Sequence, residues 1–345
     1  IGLGESVLGS VDQIEGGNSP YEPGGDVNGN AEAVTPEIPG YMVVEAPADN
    51  AEALAGCLNG KQGPIALKFV AGNTYKADMI TVPADITDLL LIGKEGQAKV
   101  TMKGLSVPER TLNKLTFQDL EIEGTDAKTT ICAAELKEDA ELTVKGCYIH
   151  GVKAVYGRGK DLAQKHSTDF SRLSSFTIDD SRIYNVECVF DYGVVLAVTL
   201  NNSTLYNLSQ IAFFSSKSND TNDIKQCEPI KVTNCTLVDL KKNLVQTAGG
   251  YGYLTNYENN ISILAGDAHI AYGVKGTNNS AYTFVIQNNI AATGSGIKIA
   301  DFTNNGAIDD TKSRADIFPN EDAGDGGKNF TPADGITIGD PRWKK

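Results

Sequence analysis

Six residues stand out by type and spacing. Arg158, His166 and Arg172 share one polar segment, and Tyr156 immediately precedes it. Asp191 and Lys217 close two later apolar runs of the same kind. An arginine grips a carboxylate with two parallel N–H donors, whereas a lysine adds a mobile point charge. Cations beside one carboxylate could hold a uronate and help remove the acidic proton next to its carboxyl group, the chemistry of β-elimination. The plainer reading is a solvated loop, since exposed charges of this kind contribute little. Hydrolysis would need two carboxylates about 5–9.5 Å apart, and these runs offer only Asp191 as an obvious one. Four aromatic residues, Tyr156, Phe190, Phe213 and Tyr272, recur at one place in successive runs. Facing out they would stack on sugar rings; facing in they would pack a core. Short strands leave that phase open, and packing is the commoner outcome.

Other chemistries have little support. His150, His166 and His269 are the only histidines and lack metal-ligand spacing. Asp309, Asp310 and the acidic segment 320–325 do not follow the order of a calcium loop. No metal or other cofactor is therefore expected, calcium having no motif behind it. There is no phosphate-binding loop, nucleophile elbow or glycine-rich dinucleotide turn. The net charge of −14 opposes nucleic acid and anionic lipid as partners. No apolar run reaches membrane-spanning length. The cysteines, Cys57, Cys132, Cys147, Cys188, Cys227 and Cys235, have no CxxC or Cys/His pattern. Several fall at core-like strand positions, which favours buried thiols over disulfides.

The elements that must carry the six residues form a repeat. Segments 115–122, 142–149, 176–183, 198–205, 230–237, 256–263 and 284–291 each read as an apolar strand, a polar kink and a second apolar strand. Aligning the kinks gives one column: Asp119, Gly146, Asp180, Asn202, Asn234, Asn259 and Asn288, spaced by 27, 34, 22, 32, 25 and 29 residues. Small residues follow it at Cys147, Ser181, Ser203 and Cys235, and aliphatics two residues later at Ile149, Ile183, Leu205 and Leu237. A side-chain amide can donate to one neighbouring coil and accept from the other, so the asparagines are expected to form a buried ladder at one bend. An antiparallel sandwich has no reason to repeat asparagine at one turn. The pattern predicts an all-β chain, a right-handed single-stranded parallel β-helix of about eight coils.

The ends complete this reading. Residues 51–58 predict a short amphipathic helix and 63–75 a strand and turn, together the N-terminal cap that a solenoid's open edge requires. Residues 1–40 lack a core pattern and read as a flexible tether, 41–303 as the capped helix, and 304–345 as an acidic segment with a cap. Trp343 is expected to lie across the last coil.

With its helix-then-strand opening, its strand–asparagine–strand coils and the ending Gly339-Asp340-Pro341-Arg342-Trp343, the sequence resembles a family of secreted, pectate-lyase-like β-helix proteins without assigned function, from gut bacteria that degrade glycans. The resemblance spans residues 41–345. It implies a secreted, periplasmic or outer-surface protein, its signal or lipid anchor removed, that takes part in polysaccharide use, and it supplies no catalytic residues. The patterns of β-helix pectin hydrolases and pectate lyases are missing: there is no Gly-His-Gly, Arg182-Ile183-Tyr184 is not Arg-Ile-Lys, and no Arg-x-Pro-x-x-Arg occurs. The expectation is a monomer that binds or helps process a polysaccharide or oligosaccharide, followed by a lyase acting on an acidic glycan and, third, by a glycoside hydrolase. The site is placed on the third strand of each coil, between the loops at 159–171 and 217–227. Arg158, Asp191 and Lys217 would share that groove with Tyr156, His166 and Arg172.

Overall fold

The computed structural model describes residues 38–94, 97–158, 171–215, 227–247, 252–265, 268–272, 285–295, 298–299, 306–323 and 328–344. They wind into a right-handed parallel β-helix of about eight turns. From Lys114 onward successive coils contribute strands to three stacks, and strands of neighbouring coils pair in parallel. In the first stack Phe117 faces Val144, Val144 faces Ile178, Ile178 faces Leu200 and Leu200 faces Val232. The second stack starts after the kink, with Ile149, Ile183, Leu205 and Leu237 in one register. The third runs from Thr130–Cys132 through Ala154–Tyr156, Phe190–Val195, Phe213–Ser215 and Val245–Thr247 to His269–Tyr272. The first two columns named are fully buried, and burying one such side chain contributes roughly 1.5–3 kcal/mol.

The kink column has a backbone cause. Asp119, Gly146, Asp180, Asn202, Asn234, Asn259 and Asn288 all have positive φ, between 46° and 62°. Asparagine, aspartate and glycine are the residues that enter this left-handed region at least cost. Asn288 Nδ2 donates to Asn259 Oδ1 at 2.6 Å across neighbouring coils, but these side chains are less buried than expected: Asn202, Asn234 and Asn259 are half-buried and Asn288 is exposed. The buried ladder stands one residue later. The N–H of Cys147 donates to Ser181 Oγ at 3.1 Å, and that of Ser181 to Ser203 Oγ at 3.0 Å. The N–H of Cys235 donates to Asn260 Oδ1 at 2.9 Å, and that of Asn260 to Asn289 Oδ1 at 3.0 Å. A second, outer ladder flanks the bend, where Asn201 Nδ2 donates to Asp179 and Thr233 Oγ1 to Asn201. The kink residue turns the chain, and its two neighbours satisfy polar groups on either side of the wall.

The helix Ala51–Gly56 caps the N-terminal end. Asn50 caps the helix, accepting from the N–H of Ala53 at 2.9 Å. Leu54 and Leu58 carry the helix into the core. The C-terminal segment departs from expectation. It runs back along the outer flank of the second stack instead of closing the last coil. Trp343 Nε1 donates to Thr204 Oγ1 at 2.7 Å, and Thr204 Oγ1 donates to Asp340 Oδ2 at 2.6 Å. Gly339 N–H reaches Asn259 O, and Arg342 Nη2 reaches Asp180. Phe330 lies against Tyr184, Tyr206, Phe318 and Trp343 in an aromatic cluster. The tail therefore bridges several coils at once.

Cys132, Cys147, Cys188 and Cys235 are buried free thiols and Cys57 is half-buried and free. The side chain of Cys227 and residues 1–37 of the expected tether at 1–40 lie outside the described residues. Among the described residues no helix is long and apolar enough to cross a membrane.

Candidate carbohydrate-binding face

The third stack exposes an outer face whose geometry follows from strand alternation. Tyr156, Phe190 and Phe213 pair in register and point inward, each at most 4% exposed. Tyr156 and Phe190 stack with ring centroids 5.4 Å apart, and Tyr156 Oη accepts from the N–H of Leu136 at 3.2 Å. Tyr156 is thus a core residue and its ring cannot meet a ligand at the surface. Tyr272 pairs in this stack, but its side chain lies outside the described residues.

Because Phe213 points inward, Phe214 points outward. It sits 5.0 Å from Tyr192, and both are half-buried. Tyr192 reaches that position at a register break between Phe190 and Gly193, where its φ is 69°. Gln246 continues the row beyond Phe214 and is fixed by Asn243 Nδ2 at 2.9 Å. The neighbour before Tyr192, Asp191, accepts from Lys153 Nζ at 2.5 Å, and this contact raises the lysine's pKa. Below Asp191 the coils close tightly. Gly157 has φ +133°, and a Cβ there would lie 2.2 Å from Asp191 O.

Arg158 follows Gly157, and its N–H approaches Tyr192 O at 3.5 Å. Its side chain turns toward the preceding coils. Nη2 lies 3.0 Å from Glu109 Oε1 and Nη1 lies 3.2 Å from Glu135 Oε1. Glu135 is nearly fully buried and also meets Arg110 Nε at 3.0 Å. Arg158 is a member of a structural charge network, so removing it would leave Glu135 buried with a partner missing. Arg172 stands apart, held by Glu138 and Asp139 at 2.8 Å each, although its backbone pairs with Val194 at the end of the same strand as Asp191. His166 and Lys217, with most of the two loops, lie outside the described residues.

The structure thus brings Asp191 and Arg158 to one corner of successive coils, with Tyr156 behind them. The chain matches no protein-family model, no curated protein and no solved structure. Among the described residues Arg110, Lys153 and Arg158 are all engaged by protein carboxylates rather than held free for a uronate. Two half-exposed rings beside amide and charged groups fit the apolar face and hydroxyl rim of a sugar. Among the described residues no group of three or more His, Cys, Asp or Glu is placed to hold a metal.

Sequence reasoning missed Tyr192, Phe214, Lys153, Glu109 and Glu135. A signal existed for one of them: the adjacent Phe213 and Phe214 must fall on opposite faces of a strand, so one of the two had to point outward. The ion pairs of Arg158 and Asp191 span 49 and 38 residues and leave no local trace.

Proposed function

We propose that this chain is a polysaccharide-binding β-helix that holds a glycan along the outer face of its third stack. The β-helix fold is consistent with proteins that act on polysaccharides. The observation that carries the reading is the Tyr192–Phe214 pair, half-buried at the surface and flanked by Asp191–Lys153 and Gln246–Asn243. Binding without catalysis is favoured over elimination because the cations described at this face, Arg110, Lys153 and Arg158, already serve protein carboxylates. Export to the cell surface and a monomeric state belong to the same proposal.

The test is calorimetry against a panel of neutral and acidic polysaccharides. The parent should bind at least one of them. Tyr192→Ala and Phe214→Ala should each weaken that binding by about tenfold, the loss of one stacking contact worth roughly 0.5–1.5 kcal/mol together with its buried area. Both variants binding as the parent does would exclude this face. Release of unsaturated uronate, read by its ultraviolet absorbance, would replace the binding role by a lyase.

A further inference from the structure

The outer face of the second stack is one continuous surface with two halves. Its residues form two columns fixed by register. One runs Thr74, Lys99, Glu121, Tyr148 and Arg182, and the other Lys76, Thr101, Glu123, His150 and Tyr184. From Tyr184 onward the tail covers the face with Phe330 and Trp343. The coils before it are uncovered by the tail and polar. There the surface sinks into a cleft of about 620 Å³ lined chiefly by Asn73, Thr74, Lys76, Lys99, Thr101 and Glu123.

The lysines of this half differ in one respect. Lys99 lies 3.2 Å from Glu121 and 2.9 Å from Glu123, and Lys103 lies 3.1 Å from Asp78. His150 adds a contact to Glu121 at 3.2 Å. Among the described residues Lys76 is exposed and forms no ion pair, and it lies at the seam between this cleft and a smaller one of about 300 Å³ beside the capping helix, where Asp49 also lines the wall. Besides the charged Lys99, Glu123 and Asp49, the lining offers the hydroxyl and amide groups of Asn73, Thr74 and Thr101, which donate and accept as sugar hydroxyls do.

We propose that this cleft is a second saccharide site, separate from the third-stack face, that takes a sugar unit carrying one negative charge with Lys76 as its partner. A cation unpaired among the described residues suits a monoanion, either a uronate carboxylate or a sulfate ester. It does not suit a polyphosphate, which Glu121, Glu123 and the net charge of −14 would repel. Lys99, bridged to both glutamates, holds the floor of the cleft in place, and its neighbours Thr74 and Thr101 meet the sugar hydroxyls.

The test uses the full chain and three probes: an oligogalacturonate, the same oligomer with its carboxyl groups reduced, and a sulfated galactan oligosaccharide. One of the two anionic probes should bind the parent, and the tighter one identifies the anion. Lys76→Gln should weaken that binding about fivefold, as expected of one exposed ion pair. Lys76→Arg should keep it, and Tyr192→Ala should leave the Lys76-dependent part intact. The proposal is overturned if neither anionic probe binds, if the reduced oligomer binds as tightly, if Lys76→Gln binds as the parent does, or if Tyr192→Ala abolishes the same binding. A failure of the third-stack reading alone would show only in the Tyr192 and Phe214 variants.

Discussion

At the scale of the residue, each bend separates two jobs that sequence alone merges. The asparagine at the kink sets φ, and the residue after it holds the wall together. Asn260 shows the second job: its Oδ1 accepts from the N–H of Cys235 and its Nδ2 donates to Val232 O, both buried. Asn260→Ala should therefore cost about 2–4 kcal/mol in chemical denaturation, the sum of two orphaned buried groups. Asn259→Gly, at φ 58°, should cost about 1 kcal/mol or less. Equal losses would show that the two positions are not distinguished in this way. The kink column was legible because few residue types enter the left-handed region cheaply. The offset of the ladder was not, because asparagine stands at both positions in two of the coils, 259–260 and 288–289.

Two of the buried thiols, Cys147 and Cys235, belong to the same column. Cys147 Sγ approaches Lys145 O and Cys235 Sγ approaches Thr233 O, as the hydroxyls of Ser181 and Ser203 approach Asp179 O and Asn201 O. Burial pushes the thiols of Cys132 and Cys147 up to about 12, and raises Cys188 and Cys235 as well. The unfolded chain releases these protons near 9, so between pH 9 and 12 it binds fewer protons than the folded one. Stability should fall with rising pH in that window, by about 1.4 kcal/mol per thiol per pH unit, and be insensitive to these groups below it. Urea unfolding from pH 8 to 10.5 measures the slope. Cys147→Ser with Cys235→Ser should reduce it, and at pH 7 should change stability by only about 1 kcal/mol. An unchanged slope would mean that these thiols are not shielded in solution.

At the scale of the element, the tail is the part that spacing could not reveal. Its bonds join Thr204 to Asp340 and Asp180 to Arg342 across 136 and 162 residues. Periodicity reads repeats and near neighbours, and a strap that crosses four coils once has no period. Its ending was recognisable as a motif, but its position was set by partners elsewhere. Gly339 has φ +90°, and a Cβ there would lie 2.9 Å from both Ile261 Cδ1 and Thr236 Oγ1. Gly339→Ala should lift the strap and cost about 2 kcal/mol, and Asp340→Ala should cost about as much by removing the turn's cap and the partner of Thr204. Limited proteolysis should then cut the segment after Lys312 faster than in the parent. Unchanged cleavage rates would assign the strap no stabilising role.

At the scale of the whole molecule, the coils act as a ruler. Side chains at equivalent positions repeat about every 4.8 Å along the axis, so a rigid outer face can offer successive contacts to an extended polymer without a deep pocket. Architecture was therefore the readable part, since stacked alternation and turn chemistry agree at every coil. The candidate face was readable only as a region. Asp191 and Arg158 do meet at one corner, yet their charges are engaged by Lys153, Glu109 and Glu135, and among the described residues the outward-facing, half-buried rings are Tyr192 and Phe214 rather than Tyr156. Which ring faces out depends on a break in register after Phe190, and strand alternation does not forecast such a break. The most direct measurement is a crystal structure with the tightest-binding oligosaccharide. The account predicts an intact chain of sugar rings lying along the third stack and stacked on Tyr192 and Phe214. Sugar bound away from those rings, or a cleaved product with an unsaturated end, would contradict it.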